Sequence, residues 1–169
     1  MNTKLQLRIA EGEDIGFLTD IYNQAIALGT ATAHTRPVTL NDRRDWLHGH
    51  PPAAYPVFVA VREKHILGYC SLSPYRPGRE ALKATAEISY YVHADHRGTG
   101  IGSALIQHAM GQCPRLGIKT LFAILLDINQ ASTRILEKLG FEQWGHLPRV
   151  ADFDGRECGH YYYGRRLAP

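Results

Sequence analysis

The chain has 169 residues, 44% hydrophobic and 21% charged, which is the size and composition of a single globular domain with its own core. Its formal net charge of +3, with both signs interspersed, is too small to point to nucleic acid; no run of about 18 apolar residues is present to span a bilayer, and no signal-peptide-like stretch precedes Arg8. Three widely spaced cysteines, Cys70, Cys113 and Cys158, form no Cys-x-x-Cys pair, which argues against a disulfide framework or zinc site and for a reducing, cytoplasmic compartment.

No repeat, low-complexity tract or polar linker divides the sequence, so residues 1–169 are read as one domain. Leu5 to Ala10 alternates as a first strand, and Ile15, Leu18, Ile21, Tyr22, Ala25 and Ile26 then recur at helical spacing. Thr39 with Asp42 resembles a capping box and opens a second helix carrying Leu40, Trp46 and Leu47. Val57 to Val61 and Ile66 to Leu72 predict strands around a Glu63-Lys64-His65 turn, and Thr85 to Val92 predicts a third, giving three successive antiparallel strands. A glycine-rich turn follows. Leu105, Ile106, Ala109 and Met110 mark the next helix, which proline and glycine stop between Pro114 and Gly117. Thr120 to Leu126 is nearly continuous apolar sequence, as expected of a strand covered on both faces. Asn129 to Leu139 predicts a helix with Ile128, Ile135, Leu136 and Leu139 inward and Gly140 as its stop, and Phe141 to Leu147 and Glu157 to Arg165 predict a terminal strand pair. The order is βααβββαβαββ, an α/β (α+β) domain.

The turn Arg97-Gly98-Thr99-Gly100-Ile101-Gly102-Ser103 joins a strand to a helix. Glycines allow close approach, and the helix start adds donors and a positive dipole end, so this turn is suited to lay main-chain N–H groups against a pyrophosphate. A nucleotide-type ligand is expected. A dinucleotide-dependent oxidoreductase is one reading, but its fingerprint wants Gly-x-Gly-x-x-Gly in an early βαβ unit, whereas here the spacing is Gly-x-Gly-x-Gly and three antiparallel strands precede it. In the strand before the turn, alternation puts Glu87, Ser89 and Tyr91 on one face and Ile88 and Tyr90 on the other. Among nine histidines, His48-Gly49-His50 and His93 with His96 lack both a third ligand nearby and the i, i+4 helical spacing of zinc hydrolases, so no metal is expected. Tyr161-Tyr162-Tyr163 reads as a last strand with aromatic packing on both faces.

The element order, the Arg97-x-x-Gly100-x-Gly102 pattern and the segment from Asn129-x-x-Ser132 to Gly140-Phe141 resemble the GCN5-related N-acetyltransferase (GNAT) superfamily. Within it, the chain is similar to the phosphinothricin (L-amino-acid) N-acetyltransferases along nearly its whole length, through Ile21-Tyr22-Asn23, Pro37-Val38, Arg43 with Trp46, Tyr55-Pro56-Val57, Gly68-Tyr69, Thr85-Ala86-Glu87 and Leu147-Pro148-Arg149-Val150.

The resemblance implies a mixed sheet of about seven strands, splayed where acetyl-CoA binds, with about four helices. It implies that Tyr90, Tyr91 and Val92 offer backbone groups to the pantetheine arm and that the amides of Gly98, Thr99, Gly100, Ile101, Gly102 and Ser103 hold the pyrophosphate with charge from Arg97. Asn129, with Ser132 and Lys138 on the following helix, completes the cofactor contacts. Glu87 stands at the position of the proposed general base for an amine nucleophile, directly or through a water, and the Val92 N–H would polarise the thioester oxygen. Many relatives place a tyrosine or histidine where this chain has Leu136; solvent, with a thiol pKa near about 8.5, is the expected proton source for the thiolate, with Tyr91 or Ser132 as alternatives. That absence also keeps open a non-catalytic acyl-CoA sensor. Substrate selection is expected from the loop between Pro74 and Ala84, where Tyr75, Arg76, Arg79 and Lys83 would clamp a carboxylate or phosphinate. A small-molecule amine substrate, no nucleic acid or membrane partner, no metal, and a homodimer with Leu147 to Arg156 near its contact complete the expectation.

Overall fold

The computed structural model describes residues 4–167. Its seven strands are β1 (Gln6–Ile9), β2 (Val57–Arg62), β3 (His65–Pro74), β4 (Thr85–Val92), β5 (Thr120–Leu126), β6 (Glu142–Phe153) and β7 (Arg156–Arg166); its four α-helices are α1 (Ile15–Leu28), α2 (Leu40–His48), α3 (Ile101–Gln112) and α4 (Gln130–Lys138). They follow the βααβββαβαββ order read from the sequence. All seven strands join one mixed sheet in the order β1-β2-β3-β4-β5-β7-β6, in which only β4 and β5 run parallel.

Local chemistry sets the boundaries. Thr39 and Asp42 form the capping box that starts α2. The β2–β3 hairpin turns through Glu63 and Lys64 at φ 50° and 70°, the paired left-handed conformation of a two-residue turn that matches strand twist. Gly140, at φ 78°, stops α4.

The two faces of the sheet differ. On one, α1 and α2 pack Ile15, Leu18, Ile21, Tyr22, Trp46 and Leu47 against Val57, Val59, Ile66 and Tyr69. On the other, α3 and α4 bring Leu105, Ile106, Ala109 and Leu136 onto Phe58, Cys70, Leu72, Ile88 and Leu121. Gly68 permits this close approach, because a Cβ there would lie 2.8 Å from the Tyr91 carbonyl oxygen and 3.2 Å from the Ile101 side chain.

The sequence pattern misleads in three places. Ile128, expected inward, is 36% exposed, since it precedes α4 in a turn rather than sitting on its buried face. Strand β5 is not fully covered on both sides: Leu121, Ala123 and Leu125 enter the core, while Thr120, Phe122 and Ile124 are only half-buried. Strand β6 runs on past Leu147 to Phe153, with a register shift between Leu147 and Ala151 and Arg149 at φ 56°.

Replacing Gly68 by valine should overpack the β3–α3 contact and lower stability by about 1–3 kcal/mol, read as a lower urea midpoint.

Candidate active site

Strands β4 and β5 pair at only three registers, Thr85 with Thr120, Ala86 with Leu121 and Glu87 with Phe122. Beyond Glu87 they part: β4 stays on β3 as far as Val92, and β5 stays on β7 as far as Leu126. The gap opens a cavity of about 420 Å³ that passes between the two faces of the sheet, from Ala25, Leu28 and Ala31 on the α1 side to Ser132, Ile135 and Leu136 on α4.

Main-chain direction along the gap follows from the register. The His93 N–H donates to the Leu67 carbonyl, so Val92 and Gly68 form a pair whose own N–H and C=O groups point away from one another. Alternation gives Tyr90 the same orientation, and both residues turn their backbone groups towards the missing partner strand. Tyr91 is the opposite case. Its main chain is engaged by Tyr69 on β3, so it cannot supply the backbone contact expected of it; only its neighbours can.

The glycine turn lies at one mouth of the cavity, contributing Arg97, Gly98, Gly100, Gly102 and Ser103 to its wall. Gly98 and Gly100 stand at φ 73° and 88°, where side chains are strained, and nothing lies within 4 Å of a Cβ built on either. Gly100 is the N-cap of α3 and brings no side-chain cap, and the first ladder bond is from the Ala104 N–H to the Gly100 carbonyl. The N–H groups of Ile101, Gly102 and Ser103 thus precede the ladder and point out of the helix end, a donor cradle that fits a diphosphate. Thr99 and Ile101 contribute only main chain: the Thr99 hydroxyl donates to the His96 carbonyl at 2.5 Å, and the Ile101 side chain is in the core. The Arg97 Nε donates to the Val92 carbonyl at 3.3 Å, tying the cation to the end of β4.

Across the gap, the Asn129 side-chain oxygen accepts from the Ser132 N–H at 3.2 Å and caps α4, which leaves its amide donors for a ligand. Ser132 and Lys138 line the same cavity. Leu136 is fully buried. From β4, Tyr90 reaches into this wall with its hydroxyl buried. Burial pushes the phenol up to about 12, and hydrogen bonding with Ser132 beside it opposes part of that shift.

Glu87 sits at the vertex where the strands part, on the face covered by α1 and α2 and opposite Ser73 of β3. Burial raises its carboxyl above the ordinary range, and among the described residues no ion pair or hydrogen bond offsets it. A polar and aromatic cluster shares this face. The buried Arg43 guanidinium lies 3.7 Å from the Trp46 ring and 4.5 Å from that of Tyr22, and donates to the Tyr69 hydroxyl at 2.9 Å while its Nε is unpartnered. His50 bridges the Trp46 carbonyl at 2.7 Å and the Ser73 hydroxyl at 3.1 Å, so its Nδ1 carries the proton and its Nε2 accepts from Ser73. Desolvation lowers its pKa and keeps it neutral. His50 is thus built into the fold. Among the described residues, no group of three His, Cys, Asp or Glu side chains is placed to hold a metal.

The predicted substrate clamp is not in the large cavity. Tyr75, Arg76, Arg79 and Lys83 surround a separate hollow of about 170 Å³, with Tyr75 stacked on Phe122 at 4.9 Å beside the vertex.

The Acetyltransferase (GNAT) family model matches residues 18–141. A Bacillus subtilis protein that carries a phosphinothricin acetyltransferase name is 38% identical over 97% of this chain and all of its own length. The L-methionine sulfoximine/L-methionine sulfone acetyltransferase of Pseudomonas aeruginosa is 34% identical over 89% of this chain and 87% of its own. A solved GNAT-superfamily phosphinothricin acetyltransferase from Sinorhizobium meliloti, in complex with acetyl-CoA, superposes with a TM-score of 0.87 at 29% identity, covering 96% of this chain and 88% of that one.

Gly100→Val places a branched side chain at a left-handed position facing the donor cradle. Calorimetry should show coenzyme A affinity reduced by about 100-fold or more, as several main-chain hydrogen bonds to the diphosphate are lost; unchanged affinity would place the diphosphate elsewhere.

Proposed function

The chain belongs to the GNAT acetyltransferase family and is an acetyl-CoA-dependent N-acetyltransferase; from that premise we propose that it acetylates the primary amine of a small amino-acid-like substrate, of the phosphinothricin or methionine sulfone type, by direct transfer with Glu87 as general base. The observation that supports this reading is a desolvated carboxyl at the last β4–β5 pair, next in sequence to Ile88, the first β4 residue on the cavity wall. The relatives named for phosphinothricin and methionine sulfone supply the substrate class. Family membership removes the oxidoreductase alternative, in keeping with a glycine turn that follows the fourth strand of the sheet.

When bound, acetyl-CoA supplies an activated acetyl thioester. The chain's own groups divide the remaining work. Main-chain groups of Tyr90 and Val92 bind the pantetheine arm in place of a strand, joined by the Asn129 amide. The N–H groups of Gly98, Thr99, Gly100, Ile101, Gly102 and Ser103 hold the diphosphate, with Arg97 supplying charge, and Ser132 and Lys138 complete the cofactor contacts from α4. The Val92 N–H, free of β3, stabilises negative charge on the thioester oxygen; donors of this kind are worth roughly 10²–10³ in rate. An alkylammonium must lose a proton before it can attack, and Glu87 takes it, directly or through a water. Its raised pKa brings it nearer to the amine it serves. Tyr75, Arg76 and Lys83, with Arg79, form the carboxylate clamp, reached from Glu87 along the Phe122 ring rather than through the large cavity. We also assign the chain to a cytoplasmic homodimer: edge strand β6 exposes Trp144, Leu147 and Val150, an apolar strip suited to a second copy.

Glu87→Gln should lower kcat by about 10²–10⁴ while leaving acetyl-CoA affinity intact, followed by thiol release over a panel of amino acids, methionine sulfone, phosphinothricin, polyamines and peptides. Undiminished turnover removes Glu87 from the role, and tight acetyl-CoA binding without turnover of any amine restores the sensor reading. In the wild type, kcat/KM should fall with acid through a pKa above the ordinary glutamate value of about 4.3. That limb, which reports protonation of the base, should be absent from the glutamine variant.

A further inference from the structure

The large cavity divides by charge. Its basic lining residues, His96 and Arg97 before the glycine turn and Arg134 and Lys138 on α4, lie towards the diphosphate cradle. The half on the α1/α2 face is walled by Ala25, Leu28, Ala31 and Ile124, with the Tyr91 ring and with Ser89, two residues past Glu87 on the same face. None of these six carries a charge. The Tyr91 hydroxyl is engaged by the Thr32 side chain, so the remaining polar side-chain group among them is the Ser89 hydroxyl. The wall is held in place: Arg156 Nη2 donates to the Gly29 carbonyl at 2.9 Å, between Leu28 and Ala31, and just beyond, the Tyr22 hydroxyl meets Thr32 Oγ1 at 3.0 Å and the His34 ring. Neither nearby guanidinium belongs to the lining. Arg156 is exposed, where solvent screens its charge, and Arg43 is buried in its stack on Trp46 and Tyr22.

We infer that this half of the cavity receives the acceptor's side chain and takes it uncharged, so that a substrate of the methionine sulfone type is selected over phosphinothricin. The inference deepens the acetyl-transfer reading above and rests on it. With the amine held between Glu87 and the thioester, the other substituents of the α-carbon leave in two directions: towards Tyr75 and the basic hollow at the start of β4, and towards Ala31 at its end. The α-carboxylate belongs with the cations of the first, and the side chain in the second. The two candidate side chains share one shape, a two-carbon arm ending in a methyl group and two oxygens, on sulfur in the sulfone and on phosphorus in the phosphinate. They differ in charge. The sulfone is neutral and its oxygens can accept from Ser89. The phosphinate is an anion, and an ion moved from water into apolar surroundings without a counter-ion is strongly disfavoured; ionised Glu87 on the same face adds a like charge. Ala31, half-buried just past the end of α1, bounds this pocket at a position where a longer side chain would enter it.

The test follows thiol release from acetyl-CoA with the two isosteric acceptors and with L-alanine, whose side chain is a single methyl group. Wild-type protein should favour L-methionine sulfone over L-phosphinothricin by at least about 10-fold in kcat/KM. Ala31→Phe should lower the methionine sulfone-to-alanine ratio of kcat/KM by about 10-fold or more, mainly through the KM for the sulfone, with acetyl-CoA affinity by calorimetry unchanged. Ala31→Lys, which brings a counter-ion to the pocket, should move the sulfone-to-phosphinothricin ratio towards phosphinothricin by a similar factor. A smaller wild-type preference, or phosphinothricin as the better substrate, overturns the inference and gives the anionic end to the loop clamp. Equal losses with sulfone and alanine in Ala31→Phe, or a matching loss of acetyl-CoA affinity, overturn it too, because residue 31 then lies outside the side-chain pocket. Should either variant fail to fold, the wild-type comparison decides alone. Turnover of none of the three acceptors by protein that binds acetyl-CoA overturns the amino-acid substrate reading itself, whereas turnover without discrimination by charge or size overturns the pocket assignment only.

Discussion

The parallel contact between β4 and β5 is held at three registers and then released, and the rest of the molecule is arranged around that release. Each strand is secured by its outer neighbour, β3 on one side and β7 on the other, so the gap does not unravel the sheet. Main-chain groups that would close a ladder are instead presented to a cavity. Such groups are costly to leave buried and unpaired, and an extended ligand with amide groups can satisfy them as an added strand would. Cofactor recognition is thus a consequence of topology before it is one of side chains.

The two faces of the sheet carry different chemistry because the gap passes through it. On the α3/α4 face lie the donor cradle of the glycine turn, the capped start of α4 and the Tyr90 phenol. On the α1/α2 face lie Glu87, Ser73, His50 and the Arg43 cluster. Arg43 is 5% exposed with no carboxylate of the described residues at salt-bridge distance, and aromatic rings with one phenol oxygen replace the usual counter-ion. Planar stacking of that kind favours a guanidinium over an ammonium. The cluster fixes α2 against α1 and the sheet, and through Trp46 it sets the position of His50 and thereby of Ser73, directly opposite Glu87.

Much of this was legible in the sequence where a local signal was strong. Thr85 to Val92 and Thr120 to Leu126 are strands with the bounds their patterns predict, and the Thr39–Asp42 box starts α2 as expected. The positive-φ glycines are where the turn chemistry requires them. What escaped depends on register, which no single segment encodes. Tyr91 was expected to offer backbone to the ligand, yet which of two adjacent residues faces the gap is set by where β3 pairs with β4. The basic loop after Pro74 is adjacent to Glu87 in sequence and hydrogen-bonded to the start of β4 through Tyr75, but its residues enclose a separate hollow. His50 reads as a loop histidine until Ser73 is brought to it from 23 positions away. Tyr90 offered only the parity signal that put it on the face opposite Glu87; its burial against Ser132 is visible only in three dimensions.

This division of labour constrains how the reaction is tuned. In the reading proposed above, the diphosphate and pantetheine contacts come mainly from N–H and C=O groups, whose directions are fixed by the β3–β4 register and the start of α3, so a substitution acts on them where it alters the backbone or fills the cradle, as at Gly100. Glu87 stands apart from these contacts: its proton affinity is governed by burial at the vertex, so a change that hydrates the vertex would lower its pKa even with every main-chain group of the cradle in place.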